Sequence, residues 1–487
     1  FLLAARAQTE LALSTGRSRA YFAEGLSSSY EAFHHTRAER TDVREGEDDL
    51  PEGELRAGAN GNPADAETVV PLAWYEDHVA AIVPSAERFD ACFEHPKLQA
   101  VVNRAVELWL SGEKVLIFCF YRETAKALRD HLRRQVDAAT ARRAAERLGL
   151  PASAALEAHE FLARVSRRFS DKDSPFHQEL TGLLSSELDR PEFEAVSRAR
   201  EDLHGSLSAY VRSPVFLARY FPFDLEDVRA ALAEGETRGD VIRHGTDALR
   251  RCFEQARDAS GFAMRDRVRE FLHFATELAK RATTPLADED DDGDPKHQSL
   301  LDEYLRAVTV YVDHEKPVDD DDDDDRPARN RAYRALSAVR MVYGQTPRDV
   351  RERLMLAFNS PLFPEILVSS GVFGEGVDLH RFCRHILHHD LSWNPSTLEQ
   401  RTGRVDRIRC KAEVARRPII VYEPFLAGSA DEKMFRVVRD RERWFQVVMG
   451  QKFELDERTT EKLAARIPLP DGLANELVFD LRVYQGR

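Results

Sequence analysis

The sequence predicts an α/β protein whose core is a parallel β-sheet flanked by helices. One observation is that several strand-length runs, such as 115–118 and 366–368, are apolar throughout. Strands of this kind are buried on both faces, which is typical of a parallel sheet. The other observation is that at least five such runs alternate with segments of helical periodicity. Strands interleaved with helices in this way predict an α/β architecture.

Length and composition limit the possible protein classes. A chain of 487 residues is long enough for two to three domains with a sizeable core. Its net charge of −15 arises largely from two acidic runs, Asp288 to Asp294 and Asp319 to Asp325. The charge of the whole chain therefore says little about the folded surface.

The cysteine content and the hydropathy indicate the compartment. The five cysteines are scattered along the chain, which favours a reducing environment and no disulfide framework. The sequence has no apolar run of membrane-spanning length, and its first residues lack a basic and then apolar leader. We expect a cytoplasmic protein that has no membrane partner.

The first part of the chain precedes the predicted sheet. Residues 1 to about 40 show helical periodicity, and the acidic, glycine-containing stretch from Thr41 to about Val69 predicts an exposed linker. We assign 1–90 to this helical segment with its linker. His95-Pro96-Lys97 then precedes a helix, which is followed by the strand Lys114 to Phe120 and a helix over about 123–133.

A large insertion is predicted inside the sheet domain. The next strand, 339–344, comes about two hundred residues after the first, and a loop of that length does not occur in a compact domain. The sheet domain therefore comprises 91–134 and 336–425, and a mainly helical insertion occupies 135–335. The two acidic runs are predicted to be disordered loops in it. A carboxylate metal site in those runs is the alternative, but they lack EF-hand spacing.

Helical patterns were found within and after the insertion. Inside it they cover about 137–148, 155–168, 226–233 and 247–281. Near the end of the chain, Ser429 and Glu432 have the spacing of a capping box and predict the start of a long amphipathic helix. We assign 426–487 to a helical C-terminal extension.

The stretch from Glu365 to Arg409 contains the strongest candidates for functional residues. Its first apolar run ends in small residues and the acidic pair Glu375 and Asp378, which predicts a buried strand that runs into a functional loop. Further on, Pro395 precedes Ser396 and Glu399, whose spacing predicts a second capping box and the start of a helix.

That helix is predicted to have two distinct faces. One presents an amide and two guanidiniums at i, i+4 and i+7, from Gln400, Arg404 and Arg407, with Arg401 and Arg409 off this face. The opposite face offers Leu398, Val405 and Ile408 to a core. Two arginines on one face bind a surface carboxylate in many proteins, so the periodicity alone leaves a structural role open.

The order of the motifs resembles the second RecA-like lobe of superfamily-2 helicases of the Swi/Snf type, including bacterial RapA-like and phage-defence helicases. KVLIFCFYRETAKALRDHL resembles motif IV, SSGVFGEGVDL motif V and QRTGRVDRI motif VI. GQTPRDVRERLMLAFN resembles the family segment that ends in Phe-Asn, and the serine-rich stretch Leu26 to Phe33 resembles the helix start that closes the first lobe. The resemblance implies a RecA-like fold for the sheet domain.

The resemblance also implies roles for individual residues and the use of ATP and Mg²⁺. Arg404 and Arg407 correspond to arginine fingers that reach the γ-phosphate, with Gln400 as their neighbour. A guanidinium is always charged and binds phosphate oxygens in bidentate fashion, which suits this role. The residues implied to line the nucleotide cleft are Glu375, Gly376 and Asp378, and those implied to face nucleic-acid phosphates are Ser369, Ser370, Gly371 and Arg122.

Two motifs needed for phosphoryl transfer are not in the sequence. It has neither G-x-x-x-x-G-K-[ST] nor a D-E-x-[DH] box at the end of an apolar strand. In the family both belong to the first lobe, which also holds most of the Mg²⁺ contacts. We therefore expect that this N-terminal ATPase lobe is missing from the sequence and that the chain by itself does not hydrolyse ATP.

A histidine cluster invites a metal interpretation. His380, His385, His388 and His389 surround Cys383. Because no C-x-x-C and no helical H-x-x-x-H accompanies them, we expect structural roles and no metal.

Two functional hypotheses follow from the sequence. In the first, the chain is the second lobe of a motor that moves along nucleic acid, which we expect to be double-stranded DNA. In the second, the lobe is a non-catalytic scaffold whose helical insertion binds a protein partner. The intact set of Gln400, Arg404 and Arg407 favours the motor hypothesis, whereas the size of the insertion is consistent with the scaffold hypothesis.

Overall fold

The computed structural model describes thirteen stretches of the chain. They are residues 21–38, 79, 81–85, 87–221, 239–255, 261–280, 285–289, 295–297, 300–309, 337–344, 346–370, 378–392 and 394–448. The helices are α1 (Tyr21–Ser28), α2 (Tyr30–Ala38), α3 (Phe89–Cys92), α4 (Pro96–Leu110), α5 (Arg122–Leu148), α6 (Ala155–Ser170), α7 (Pro175–Leu188), α8 (Arg200–Val211), α9 (Pro214–Tyr220), α10 (Gly239–Gln255), α11 (Met264–Lys280), α12 (Leu300–Thr309), α13 (Arg348–Phe358), α14 (Pro395–Gly403), α15 (Lys411–Ala415) and α16 (Ala430–Val448). The strands are β1 (Lys114–Cys119), β2 (Pro285–Glu289), β3 (Pro295–His297), β4 (Val339–Val342), β5 (Ile366–Ser370), β6 (Cys383–His388) and β7 (Ile420–Tyr422), and two 3₁₀ helices cover Ala152–Ala154 and Pro191–Ala199.

The five-stranded sheet is parallel, which confirms the predicted α/β class. Its strand order is β4-β5-β1-β6-β7, so β1 lies at the centre. In the register of the sheet, Val115 pairs with Ile366 on one side and with His385 on the other. Because all five strands run in the same direction, the carboxyl ends of β1, β5 and β6 lie at one edge.

The two faces of the sheet are covered by different parts of the chain. Alternating side chains of β1 point to opposite faces, as strand geometry requires. Val115 and Ile117 belong to a core that includes Phe216 and Phe271 from the helices between β1 and β4. On the other face, Leu116 packs with residues of α13 and with residues between 379 and 405. The helices between β1 and β4 therefore share one continuous core with the sheet.

Helix α5 is longer than predicted. The sequence predicted separate helices over about 123–133 and 137–148, but Arg122–Leu148 is continuous. The residues between the two predicted pieces are Arg134, Gln135 and Val136, and because none of them is glycine or proline, nothing in this stretch ends the helix. The helix ends at Gly149, whose φ of 69° closes the last turn. The predicted boundary at 134/135 thus falls inside a helix.

The first acidic run begins in a strand. Asp288 and Glu289 belong to β2, which pairs antiparallel with β3, so the prediction of a fully disordered loop is wrong for these two residues. The rest of that run, the second acidic run and the predicted helix at 226–233 lie outside the described residues. The other helical patterns of the insertion correspond to the end of α5, to α6 and to parts of α10 and α11.

A buried ion pair joins the sheet to the insertion. Glu365, which directly precedes β5, is 2% exposed and accepts hydrogen bonds from Trp109 Nε1 and Tyr210 Oη, both at 2.7 Å, and from the Arg219 guanidinium. Arg219 also donates to the carbonyl of Trp109 at 2.7 Å. Burial alone would raise the pKa of Glu365, but Arg219 and the two neutral donors hold that pKa below its usual value.

Nearby, Lys114 is buried among backbone carbonyls. Its Nζ donates to the carbonyls of Phe358, Leu362 and Pro364 at 3.0, 2.7 and 2.8 Å. Three acceptors match the three protons of an ammonium group. Burial nevertheless lowers the pKa of Lys114 to about 7.

We expect Arg219→Met to destabilise the protein by about 3–5 kcal/mol, because it leaves the carboxylate of Glu365 charged, buried and without its cation. The free energy of unfolding from urea denaturation measures this effect. The control is Arg200→Met, which breaks the exposed Arg200–Asp189 pair (2.8 Å) and should change stability by less than about 0.5 kcal/mol. Equal effects of the two substitutions would contradict a structural role for the buried pair.

Candidate functional site at the carboxyl edge of the sheet

The candidate site lies where β1, β5 and β6 end. These strands finish at Cys119, Ser370 and His388, and neighbouring strands are hydrogen-bonded up to this edge. Helix α5 begins here, at Arg122. In open parallel sheets, ligands bind at this carboxyl edge, so residues placed here are candidates for function.

A buried aspartate organises this edge. Asp390 Oδ2 accepts hydrogen bonds from the Phe120 amide at 2.8 Å and from the Ser28 hydroxyl at 2.9 Å. Lys97 Nζ lies 3.4 Å from Asp390 Oδ1 and 3.1 Å from the carboxylate of Asp431 in α16. Burial alone would raise the pKa of Asp390, but the surrounding charges and donors hold that pKa below its usual value.

The serine-rich segment packs on the same edge. The hydroxyls of Ser28 and Ser29 lie 2.7 and 3.1 Å from that of Thr124 in α5. His95 Nε2 lies 2.9 Å from the Leu26 carbonyl, which ties the start of α4 to α1. Helices α1 and α2, although early in the chain, thus contact the sheet domain directly.

The helix before the candidate arginine fingers begins and ends earlier than predicted. Its N-cap is Asn394, whose side chain accepts from the Ser396 amide at 3.0 Å, so the predicted capping box of Ser396 and Glu399 is wrong. The helix ends at Gly403. Arg404 and Arg407 therefore lie beyond the helix, and the predicted helix face shared with Gln400 is wrong.

Just beyond the helix, the backbone is bonded to another segment of the chain. The Arg404 carbonyl accepts from the Leu379 amide at 2.9 Å, and the His380 carbonyl accepts from the Lys411 amide at 2.8 Å. These two bonds place residues 378–381 beside residues 404–411. Glycine at position 403 also favours the end of a helix, because it is a weak helix former.

The structure brings Arg407 and Asp378 together. Arg407 Nε lies 3.1 Å from Asp378 Oδ1, and the two side chains are 48% and 55% exposed. Arg404 is 8% exposed, whereas Gln400 is exposed. Of the predicted apolar face, Leu398 and Val405 are buried, but Ile408 is 86% exposed, so its predicted core position is wrong.

Asn359 is hydrogen-bonded to the backbone of residues 378–381. Its side-chain amide donates to the Asp378 carbonyl, and its Oδ1 accepts from the Arg381 amide at 3.3 Å. Asn359 is the C-cap of α13 and the last residue of the Phe-Asn pattern seen in the sequence. Gly371, Glu375 and Gly376 lie outside the described residues.

The candidate phosphate contacts differ in their exposure. Ser369 is completely buried and Ser370 is nearly so, because both belong to β5. Arg122 is half-buried, and its guanidinium lies 4.5 Å from the ring centroid of Tyr343. A cation stacked on an aromatic face is held in place while one edge can still donate. Of these three residues, Arg122 has the most accessible side chain.

The histidines are buried rather than gathered around a common point. His389 Nε2 lies 2.9 Å from the Ser28 carbonyl, and His388 stacks on Phe118 with ring centroids 5.7 Å apart. Burial lowers the pKa of His385 and His389 to about 4 and that of His388 to about 3, so all three are neutral at pH 7. Within the described stretches, no three His, Cys, Asp or Glu side chains are placed to share a metal ion.

Arg401, which the sequence placed away from the functional face, has a structural role. Its Nη1 lies 3.4 Å from the Asp390 carbonyl, and its guanidinium lies 5.4 Å from the Phe118 ring centroid. Sequence reasoning also assigned no role to Asp390 or Lys97. The only sequence signal for Lys97 was the His95-Pro96-Lys97 helix start.

The comparisons with known proteins agree with the fold. The model of the helicase conserved C-terminal domain matches residues 318–409, a range that contains β4, β5, β6, Asp378 and both candidate arginine fingers. The chain contains a helicase C-terminal lobe. None of its described helices combines the length and apolar composition needed to cross a bilayer.

Two known proteins are similar to short parts of this chain. Over 97 residues the chain is 31% identical to the uncharacterized ATP-dependent helicase YqhH of Bacillus subtilis, covering 20% of this chain and 16% of that protein. Over 72 residues it is 38% identical to the RNA polymerase-associated protein RapA of Vibrio vulnificus, covering 15% and 7%. The matched part spans less than a fifth of either relative.

The buried histidines predict a loss of stability in mild acid. In the unfolded chain they take up protons near pH 6.5, whereas the folded lobe resists protonation until about pH 4. The unfolded state therefore binds more protons between these values, and stability falls as the pH decreases from 6.5 to 5. His389→Gln should flatten this dependence, and the exposed His159→Gln is the control. Urea denaturation between pH 5 and 6.5 measures the free energy of unfolding at each pH. If this free energy depended on pH in His389→Gln as it does in the wild type, the result would contradict a buried, neutral His389.

Proposed function

We propose that this chain supplies the second motor lobe of an ATP-dependent translocase that acts on double-stranded DNA. The observation that carries the proposal is the position of Arg407. Its half-exposed guanidinium lies beside Asp378, in the segment that matches the helicase C-terminal domain. A guanidinium held in this way can stabilise charge that develops on a phosphoryl group.

The chemistry of Arg407 and Asp378 fits a bound nucleoside triphosphate. The contact with Asp378 uses Nε, so the two terminal nitrogens of Arg407 can still donate as a pair to phosphate oxygens. ATP supplies the phosphoryl group, and Mg²⁺ neutralises its charge when bound. We assign most of the Mg²⁺ contacts to a first helicase lobe. Asp378 orients Arg407, while Glu375 and Gly376 are proposed to complete the cleft.

Arg404 and Gln400 are proposed to act with Arg407. The backbone carbonyl of Arg404 accepts from Leu379, the residue after Asp378, so the position of Arg404 is coupled to that of the Arg407–Asp378 pair. Since Arg404 is almost fully buried, its removal has a second consequence, which is a loss of lobe stability.

The nucleic-acid track is proposed to pass the start of α5. Arg122 supplies a cation there, and Ser370 is the last residue of the neighbouring strand β5. Gly371, the next residue in the sequence, is proposed to contact phosphate as well. Ser369 is completely buried, so its contribution is to fix the strand end. Contacts of this kind bind phosphates without reading base sequence.

One observation supports the scaffold hypothesis. The RapA relative is named as an RNA polymerase-associated protein, which makes a protein partner for the helical insertion the alternative function. We place the motor in the cytoplasm, and the resemblance to phage-defence helicases suggests defence as its biological setting.

In a protein that carries this chain together with a first helicase lobe, we expect Arg407→Ala and Arg404→Ala each to lower kcat by roughly two orders of magnitude or more. DNA affinity should stay nearly unchanged, because neither residue is proposed to contact DNA. Steady-state ATPase kinetics measure the effect. The exposed Arg348→Ala is the matched control.

Two results would count against this assignment. The first is a kcat within a few-fold of wild type in either finger variant. The second is Mg²⁺-dependent ATP turnover by the 487-residue chain alone that Arg404→Ala abolishes.

DNA binding should be independent of sequence and steeply dependent on salt. For the single lobe we expect a Kd of about 10⁻⁴ to 10⁻⁶ M at physiological salt. Arg122→Ala should reduce the slope of log Kd against log salt by about one phosphate contact. Arg142→Ala is the control, because it lies on the same helix about 30 Å from Arg122. Fluorescence anisotropy with duplex and single-stranded oligonucleotides measures the Kd and its salt dependence. If a two-lobe protein did not bind either oligonucleotide, the scaffold hypothesis would be favoured.

A further inference from the structure

The candidate finger segment is held by the insertion as well as by the sheet. Glu277 in α11 binds two arginines at once. Its Oε1 lies 2.6 Å from Arg409 Nη1, and its Oε2 accepts from the Arg381 guanidinium. One of these arginines comes from residues 378–381 and the other from residues 404–411. A single carboxylate thus joins the two segments that position Asp378 and Arg407.

Aromatic side chains of the same region strengthen this attachment. The ammonium group of Lys411, which is almost fully buried, lies 3.6 Å from the ring centroid of Phe262, just before α11. The guanidinium of Arg381 lies 5.1 Å from the ring centroid of Phe274 in α11. Cation–π contacts gain strength when the cation is shielded from water. Residues 378–381 and residues 404–411 therefore each contact the insertion through an ion pair with Glu277 and through a cation–π contact.

The backbone at Arg409 shows that this segment is tightly constrained. Its φ is 61°, in the left-handed region that residues other than glycine rarely adopt. The Arg409 amide donates to Glu413 Oε2 at 2.6 Å, while its guanidinium is held by Glu277. A strained conformation persists when its surroundings fix it from several directions. Arg409 is only two residues from Arg407, so constraints on one restrict the other.

Glu277 also separates two like charges. Arg381 and Arg409 each donate to a different oxygen of the same carboxylate. Without that carboxylate, the two segments would lose their shared contact, and no negative charge between them would offset the repulsion of the two cations. The loss of Glu277 is thus more disruptive than the loss of a single surface ion pair.

We propose that Glu277 is a positioning residue that fixes the orientation of Arg407, so that the insertion controls the phosphoryl-transfer step. This inference rests on the proposed function. It assigns the insertion a regulatory role: a partner that moves α11 would move residues 404–411 and the proposed finger with them. A displacement of about 1 Å at a catalytic group can lower a rate by about a hundred-fold.

The test compares two substitutions that each remove one carboxylate charge, one within α11 and one on a residue that binds α11. Glu277→Gln removes the shared carboxylate. Glu187→Gln is the matched control, because Glu187 binds Arg269 of α11 at 2.6 and 3.0 Å without touching residues 378–411. Hydrogen exchange of the 487-residue chain, followed by mass spectrometry, reports the peptides that cover 378–381 and 404–411. ATPase kinetics of the protein that also carries a first lobe report kcat and KM.

We expect faster exchange in both segments and a kcat lowered by about ten- to a hundred-fold in Glu277→Gln, with KM for ATP and DNA affinity within two-fold of wild type. Glu187→Gln should change neither readout. Adding Arg409→Gln to Glu277→Gln should cause less than the sum of the two single effects, because the two residues act through one contact.

Three results would overturn the proposal. They are unchanged exchange at 404–411 in Glu277→Gln, unchanged kcat despite faster exchange, and equal effects of Glu187→Gln. An inactive wild-type two-lobe protein would instead overturn the proposed function and, with it, the effect of Glu277 on phosphoryl transfer. The exchange measurement would still decide whether Glu277 holds the segment.

Discussion

The arrangement of this protein depends on the need to neutralise one buried carboxylate. Glu365 is placed at the start of β5, deep between the sheet and the insertion, where an unpaired charge would be strongly unfavourable. Its partners come from α4, α8 and α9, so three separate parts of the chain must meet at this point. The ion pair thereby attaches the inserted helices to one face of the sheet. The same helices share a common hydrophobic core with that face.

The opposite edge of the sheet also has a buried carboxylate that is neutralised by several parts of the chain. Asp390 gathers Ser28, Lys97 and the Phe120 amide, and Lys97 extends the network to Asp431 in α16. Early and late parts of the chain are thus attached to the edge at which β1, β5 and β6 end. Two of the proposed DNA contacts, Arg122 and Ser370, belong to this edge. A rigid edge holds such residues at a defined distance from a ligand.

The sequence predicted the strands and the motifs better than it predicted the contacts between them. The strands of the five-stranded sheet were evident because their apolar runs are local, and the family resemblance covered the motifs at 114–132, 344–359 and 369–408. The sequence prediction continued α14 to Arg407 because Gln400, Arg404 and Arg407 have helical spacing, whereas Gly403 is the local signal that marks the end of the helix. The exposure of Ile408 follows from that early end. By contrast, no local pattern connects Glu277 with Arg409 or Glu365 with Arg219, since these pairs are more than a hundred residues apart.

The central position of β1 has a consequence for how the chain folds during synthesis. Val115 pairs with Ile366, so the neighbours of β1 are made roughly 250 residues after it. At about 5 to 20 residues per second, β1 waits roughly 10 to 50 s for its sheet partners. In that interval both hydrogen-bonding edges of an apolar strand are open, a state prone to aggregation. The inserted helices emerge from the ribosome first and can cover Val115 and Ile117, so the insertion can act as an internal chaperone for the strand.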